Sequence, residues 1–426
     1  MAVIGIVGLG YVGITTAVGM ARLNHKVVGY DLNRARVEIL RTGKSPIFEA
    51  GLEDDLKAHL KSSQLVFTDD LEQVAEAAPE FFFVCVPTPQ DASGAANLSY
   101  VLACASDLSR IAPADSVVVL KSTVPVGSGE RVKKALARED VSVASNPEFL
   151  REGRALHDFM NPDRIVAGAN TGEIAKRVLE LYKEIDSEKI ATSIESAELV
   201  KYSTNAYLAM RLSFVNDLAA LCERVGADVD DVMKGLGADS RIGNSFLSPG
   251  PGWGGSCFPK DTRALVSVAS DFGIDLPLID AALESNEASL ARVVDTLKDL
   301  CEGALEGKVV AVWGLAFKAG TDDIRESPAV NIVKRLIDRG AKVQAFDPVA
   351  VGPSIPGLTQ HHSAIDAADG ADALAVLTEW PEFALVPPEE VASIMKSAVA
   401  YDARRILPLT WRKTMQKMRV LGDSAK

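Results

Sequence analysis

Residues 1–13 read MAVIGIVGLGYVG, and the six residues GLGYVG at 8–13 decide the fold. A β-branched run, VIGIV at 3–7, leads straight into Gly8, Gly10 and Gly13, and a helical run, ITTAVGMARLNH, follows. In a strand, turn and helix of this kind the first glycine makes the tight turn. The second lets the backbone approach a pyrophosphate, and the third lets the helix pack close to the strand. The helix N-terminus adds a positive field for an anion, so Tyr11 and Val12 count with the glycines as cofactor-binding. The next apolar run, KVVGY, ends on Asp31, 18 residues after Gly13. Its carboxylate would accept hydrogen bonds from a ribose hydroxyl and repel a 2′-phosphate, which favours NAD over NADP. Arg36 complicates the choice only slightly, since it would either stack on adenine or accommodate a phosphate. Glycines that merely turn a strand into a helix are the alternative, and the acid that follows argues against it.

Outward from this loop, the first third of the chain keeps alternating strands with helical patterns. FFFVCVP at 81–87, SVVVLKST at 116–123 and VSVASNP at 141–147 are further strands, and the alternation predicts βαβ units in a parallel sheet covered on both faces. From about 195 to 300 the texture turns helical, with no strand before KVVAVWG at 308–314. There Leu199, Tyr202, Ala206, Met210 and Phe214 recur at steps of three and four, which predicts one buried stripe. Alternation then returns through SPAVNIVKRLIDRG, KVQAFDP at 342–348 and ADALAVLT at 371–378, with a last strand near SAVAYDARRIL. The expected fold class is α/β, with two Rossmann-like doubly wound domains joined by a long central helix and a helical middle domain. The boundaries fall at 1–195, 196–300 and 301–426, and the two ends read as independent versions of one architecture.

With 426 residues, 47 % of them hydrophobic, the chain is too long for one core. A net charge of −13 argues against a nucleic-acid partner, whose binding surfaces are strongly basic. The start reads as a strand rather than a signal, and no stretch approaches the roughly 18 apolar residues of a membrane span. Five cysteines form no CxxC pair, so neither a disulfide framework nor a metal site is expected, and a reducing cytoplasm fits best.

One cysteine stands out in GGSCFPKD at 254–261. Pro259 suits a first helical turn, and DTRALVSVAS reads as the helix that follows. A thiol at that N-terminus feels the positive end of the dipole, and Lys260 adds to it, so the thiolate should form more easily. Taken alone, Cys257 reads equally well as structural or reactive. Asp261, one turn on, would orient water or take a proton. Lys201 and Asn205, four apart in LVKYSTNAYLAM, would project from one helical face, although a polar face is often only solvated. Glu148 and Glu152 in SNPEFLREG follow a strand at the end where ligands bind in such sheets. Cys85 reads as a core thiol, and Cys104, Cys222 and Cys301 have no activating neighbours.

Together with GKSPIFEAGL, VPTP, KSTVPVG, RIGNSFLSPGPGWGGSCFPKDTRAL, WGLAFKAGTDDIRESPA and YDARRIL, these motifs resemble the UDP-glucose/GDP-mannose dehydrogenase family of nucleotide-sugar dehydrogenases along essentially the whole chain. The resemblance implies NAD-dependent oxidation of a sugar C6 alcohol to a carboxylate, with Cys257 as nucleophile. It places Lys201, Asn205 and Asp261 around the reacting carbon, with Glu148 and Thr123 also catalytic. Thr88, Thr123, Arg36, Glu152, Lys260 and Arg325 match NAD contacts. Glu148, Phe149, Leu150, Arg151 and Glu152 line the sugar site beside Lys201 and Asn205. Phe246, Leu247, Ser248, Pro249, Gly250, Gly254, Lys318 and Arg404 match nucleotide-sugar contacts, and Arg241 matches an arginine that crosses a homodimer interface. GWGGSCFPKD looks like the type that takes UDP-glucose, rather than GDP-mannose or an N-acetylated sugar. In FEAGL, Ala50 stands where proline is expected, in a loop not expected to carry chemistry.

A four-electron oxidation must hold an aldehyde between two hydride transfers. A cysteine does this as a thiohemiacetal and then a thioester, which water hydrolyses. The C-terminal glycine turn lacks GxGxxG, which fits a nucleotide-sugar site, with catalysis expected between the two α/β domains and the central helix as dimer interface. The competing readings are a two-electron hydroxy-acid or acyl-CoA dehydrogenase, which needs neither Cys257 nor a second α/β domain, and a non-catalytic NAD-binding module.

Overall fold

The computed structural model describes residues 1–90 and 96–424; the last two residues of the expected third domain lie outside them. The chain divides into two compact units, Met1–Thr204 with Arg263–Ile274, and Asn205–Thr262 with Asp275–Lys426.

In the first unit the described residues form an eight-stranded sheet in the order β3-β2-β1-β4-β5-β6-β7-β8. The strands are β1 (Val3–Val7), β2 (Lys26–Tyr30), β3 (Leu65–Thr68), β4 (Phe81–Val84), β5 (Val117–Leu120), β6 (Ser142–Ser145), β7 (Arg164–Ala169) and β8 (Glu188–Thr192). Central strands β4 and β5 are buried at every residue, which is why they read as unbroken apolar runs. The five strands read from the sequence run parallel, as expected, and beyond them β7 runs antiparallel to β6. The chain leaves β6 and enters β7 from the same end, so this pair needs no full crossover.

In the second unit a six-stranded parallel sheet has the order β11-β10-β9-β12-β13-β14. Its strands are β9 (Val309–Trp313), β10 (Lys342–Phe346), β11 (Leu358–Gln360), β12 (Ala373–Val376), β13 (Val399–Asp402) and β14 (Lys417–Val420). The strand expected to be last, near SAVAYDARRIL, is therefore β13. β14 escapes notice because an edge strand reading KMRV is short and half polar.

Six strands of each sheet share one winding, and the first turns match in detail. Gly8 N donates to Tyr30 O at 2.8 Å and Gly314 N to Phe346 O at 2.8 Å. Leu9 N donates to Asp31 Oδ2 at 2.7 Å, and Leu315 N to Asp347 Oδ2 at 2.7 Å.

Between residues 194 and 300 the chain is helical, as expected, with helices Ile194–Val225, Val229–Gly237, Phe258–Asp271 and Pro277–Leu300. The single buried stripe is not what forms. Tyr202 and Ala206 are buried, but Leu199 and Phe214 are 44 % and 55 % exposed. Each four-residue step advances about 40° around a helix of 3.6 residues per turn, so the series walks off the buried face. In the second unit, Leu290, Val293, Val294 and Leu297 of the last helix pack with Val310 and Val312 of β9. Each such side chain contributes roughly 1.5–3 kcal/mol by burial, which makes this helix a firm platform.

Candidate active site

The glycine loop of the first unit is built as its spacing suggests. Gly8 has φ +90°, and a Cβ on Gly13 would stand 1.8 Å from Gly8 O, so helix and strand touch only because position 13 lacks a side chain. A Cβ on Gly10 would meet no atom within 4 Å, leaving open space where a phosphate can approach. Gly10 caps helix Tyr11–Arg22 without a side-chain hydrogen bond, which leaves first-turn amides for an anion. Asp31 is buried beside the loop and also accepts from Asn33 N at 2.8 Å and Arg36 Nη1 at 3.0 Å. Thr88 Oγ1 donates to Thr123 O at 2.9 Å, which joins two more expected cofactor residues. This cradle fits a dinucleotide with a free ribose hydroxyl.

Glu49 was missed. It accepts from the Tyr11 hydroxyl and, at 3.3 Å, from Leu156 N, while Gly153 N donates to the Tyr11 hydroxyl at 2.7 Å. Burial, with Glu49 adding to it, pushes the Tyr11 pKa far up, so the phenol stays a donor. The FEAGL loop therefore ties the glycine loop to NPEFLREG, a link that spacing along the chain does not reveal.

Beyond β6, Glu148 Oε1 pairs with Lys201 Nζ at 3.0 Å, both side chains nearly buried. Burial works to raise the Glu148 pKa, but Lys201, the Leu150 amide and Lys121 together hold it below the ordinary carboxylate value. Lys121, also missed, is buried and pushed down to about 8 by desolvation, against the pull of Glu148. It donates to Asn146 Oδ1 at 3.1 Å, which also accepts from the Tyr182 hydroxyl at 2.6 Å. The Phe149 ring lies 3.9 Å from the Arg164 guanidinium and 5.5 Å from Lys201 Nζ. Leu150 and Glu152 are half-buried. Arg151 is exposed and doubly bonded to Asp158, at 2.7 and 2.8 Å.

In the second unit Cys257 is half-buried and immediately precedes helix Phe258–Asp271, whose Asp261 N donates to Cys257 O at 2.8 Å. Pro259 occupies the first turn, as expected. Asp261 is fully buried; Asn205 Nδ2 donates to its Oδ2 at 2.6 Å, and Lys260 grips Oδ1. The strap ahead of the cysteine is held by close approaches. A Cβ on Gly254 would fall 1.9 Å from Glu326 O, and one on Gly250 would fall 3.0 Å from the Arg404 guanidinium. Arg404 in turn donates to Leu377 O at 2.8 Å and Phe317 O at 3.2 Å. Leu247 and Pro249 are buried, Phe246 is half-buried with φ +58°, Ser248 is exposed, and Lys318 is half-buried. Arg325 is exposed and bonded to Asp323, and Arg241 is exposed and bonded to Asp239. Among the other thiols, burial pushes Cys85 up to about 12 and also raises Cys104 and Cys301, which agrees with inert core positions. Among the described residues no cluster suited to a metal ion occurs, and no helix is long and apolar enough to cross a membrane.

The first unit supplies a buried ammonium paired with a carboxylate, Lys201 with Glu148, and the second supplies a half-buried thiol at a helix start with a pinned carboxylate one turn away. Such groups suit covalent capture of a carbonyl, charge stabilisation and proton transfer. Residues 2–186 match the NAD binding domain of the UDP-glucose/GDP-mannose dehydrogenase family, residues 195–288 its central domain, and residues 311–408 its UDP binding domain. The chain is 40 % identical over 421 residues to the UDP-glucose 6-dehydrogenase TuaD of Bacillus subtilis, covering 96 % of this chain and 90 % of that one. It is 41 % identical over 416 residues to a UDP-glucose 6-dehydrogenase of Rhizobium meliloti, covering 95 % of each. A solved UDP-glucose dehydrogenase from the archaeon Pyrobaculum islandicum is 38 % identical, with TM-score 0.92 over 100 % of this chain and 98 % of that one.

Proposed function

The chain belongs to the UDP-glucose/GDP-mannose dehydrogenase family, and on that premise we propose that it oxidises UDP-glucose to UDP-glucuronate in two successive two-electron steps. The relatives of about 40 % identity support this substrate. NAD, when bound, supplies the hydride acceptor for each oxidation. Gly8, Gly10 and Gly13 cradle its phosphates, and Asp31 takes its ribose.

Cys257 adds its sulfur to the C6 aldehyde and forms a thiohemiacetal. Loss of hydride from that carbon gives a thioester, and attack by water releases the carboxylate and the thiol. Lys201 stabilises the oxyanion and Asn205 adds a hydrogen bond to the same oxygen. Asp261 orients or deprotonates the water, with Glu148 assisting. The observation that carries this reading is the buried Asp261, pinned by Asn205 and Lys260 one turn from Cys257.

In this reading residues 1–195 bind NAD, 196–300 form a dimerisation domain and 301–426 bind the nucleotide sugar. The matched domain descriptions support that division. Tyr207, Phe214 and Leu221, seven apart on helix Ile194–Val225, are each more than half exposed. That apolar stripe supports a homodimer built on the helix. Five unbridged cysteines support work in a reducing cytoplasm.

The deciding experiment counts NADH formed per sugar consumed, with excess NAD and limiting UDP-glucose, GDP-mannose or UDP-N-acetylmannosamine. Two NADH per UDP-glucose, lost in Cys257→Ala, is the expected result. One per sugar means a released aldehyde and removes the thioester, while turnover only with another sugar keeps the chemistry and replaces the substrate.

A further inference from the structure

We propose that Asn286 is a positioning residue for Cys257, acting through Trp253; the inference rests on Cys257 as the nucleophile. Residues 246–257 form neither helix nor strand, so their backbone groups need partners from outside the segment. Asn286, at mid-helix in Pro277–Leu300, supplies two of them. Its Oδ1 accepts from Trp253 N at 2.8 Å and its Nδ2 donates to Trp253 O at 3.0 Å. Only one orientation of the amide satisfies both. Asn286 is 8 % exposed and Trp253 5 %, so water is a poor substitute for either bond.

The hold continues to the thiol. The Trp253 indole donates to Ser213 Oγ at 2.9 Å, which fixes the plane of the ring. The Trp253 and Phe258 rings pack in a T shape, with centroids 6.5 Å apart and planes at 75°, and Phe258 directly follows Cys257. Phe258 also packs on Phe246 at 6.2 Å, the residue at the other end of the strap. The packed helix that carries Asn286 thereby sets the start of the helix behind the cysteine, and a small displacement there misplaces the sulfur.

The test compares Asn286→Leu, which keeps the branched outline and loses both bonds, with Val293→Ala, which loosens the same helix in the core. Readouts are kcat, KM for NAD, and the rate at which iodoacetamide alkylates Cys257, followed by mass spectrometry. Asn286→Leu should lower kcat about 100-fold, the scale of an ångström-sized misplacement, at unchanged KM for NAD, and should change the alkylation rate severalfold. Val293→Ala should lower Tm and leave all three readouts unchanged. Parent-like kcat and alkylation in Asn286→Leu, or the same losses in Val293→Ala, would overturn the proposal. If Asn286→Leu does not fold, Ser213→Ala decides, because an unchanged alkylation rate there breaks the route through Trp253. Alkylation needs no turnover, so a wrong substrate assignment and a wrong positioning role give different results.

Discussion

The Asn205 amide donates to Asp261 Oδ2 across 2.6 Å, deep enough that Asp261 has no exposed surface. With Lys260 on the other oxygen, the carboxylate is aimed from two sides. Asp261→Asn keeps the shape but removes the negative charge and sets one amide against another. We expect kcat to fall about 10²- to 10⁴-fold, the usual worth of a positioned acid or base, with little change in KM for either substrate. A parent-like kcat would leave Asp261 only a structural role.

Glu148 and Lys201 form a buried ion pair at 3.0 Å. Removing one partner of such a pair strands the other charge and costs about 3–5 kcal/mol, so Glu148→Gln should lower Tm markedly as well as slow turnover. The sign of the pH effect follows from the depressed Glu148 pKa. Its stabilisation is fully present above the ordinary value of 4.5 and is lost as the pH falls through the lower folded value. The parent should therefore lose stability on acidification below pH 4.5 more steeply than Glu148→Gln, as pH-dependent melting would show.

A Cβ at position 13 would sit 1.8 Å from Gly8 O, with backbone on the far side and no flexible group to yield. Gly13→Ala must push helix Tyr11–Arg22 off β1, which moves the amides meant for the phosphates. Calorimetry should show NAD affinity reduced at least tenfold, about 1.4 kcal/mol, while far-ultraviolet circular dichroism stays near that of the parent. Parent-like affinity would mean that the loop is not the phosphate site.

Strands buried on both faces, such as FFFV and VVVL, were legible because a doubly covered strand leaves an unbroken apolar run. KVVGY and KVQAF were legible despite exposed first residues, while RIVAGA of β7, buried at all but its first residue, was overlooked. β8 and β11 pair with only one neighbour each and have partly or fully exposed residues, so their patterns merge with loops. The glycine loop was readable because its three roles are local. Glu49 and Lys121 were not, since each acts across the fold: Glu49 reaches Tyr11 38 residues away, and Lys121 reaches Asn146 25 residues away. The helical stripe failed for a related reason, because periodicity shows that a helix is amphipathic without showing which apolar face meets protein.

Glu198 gives the most direct pH test. Its carboxylate, 1 % exposed, accepts from Gly127 N at 2.7 Å and Gly129 N at 2.9 Å, at the start of helix Ser128–Leu136, where the KSTVPVG segment that carries Thr123 ends. Burial pushes its pKa up to about 7, against the pull of those two amides. Between the ordinary value of 4.5 and about 7 the folded chain therefore holds a proton that the unfolded chain releases. Stability must fall as pH rises through that window, by up to about 3 kcal/mol, and then level off. Gln at this position resembles the neutral acid and does not titrate. Glu198→Gln should match the parent near pH 5 and melt at a higher temperature than the parent at pH 8. A variant that already melts above the parent at pH 5, by the margin seen at pH 8, would mean that Glu198 is ionised at pH 5, with the helix-end amides outweighing its burial. Matching Tm values at both would mean that it stays neutral at pH 8.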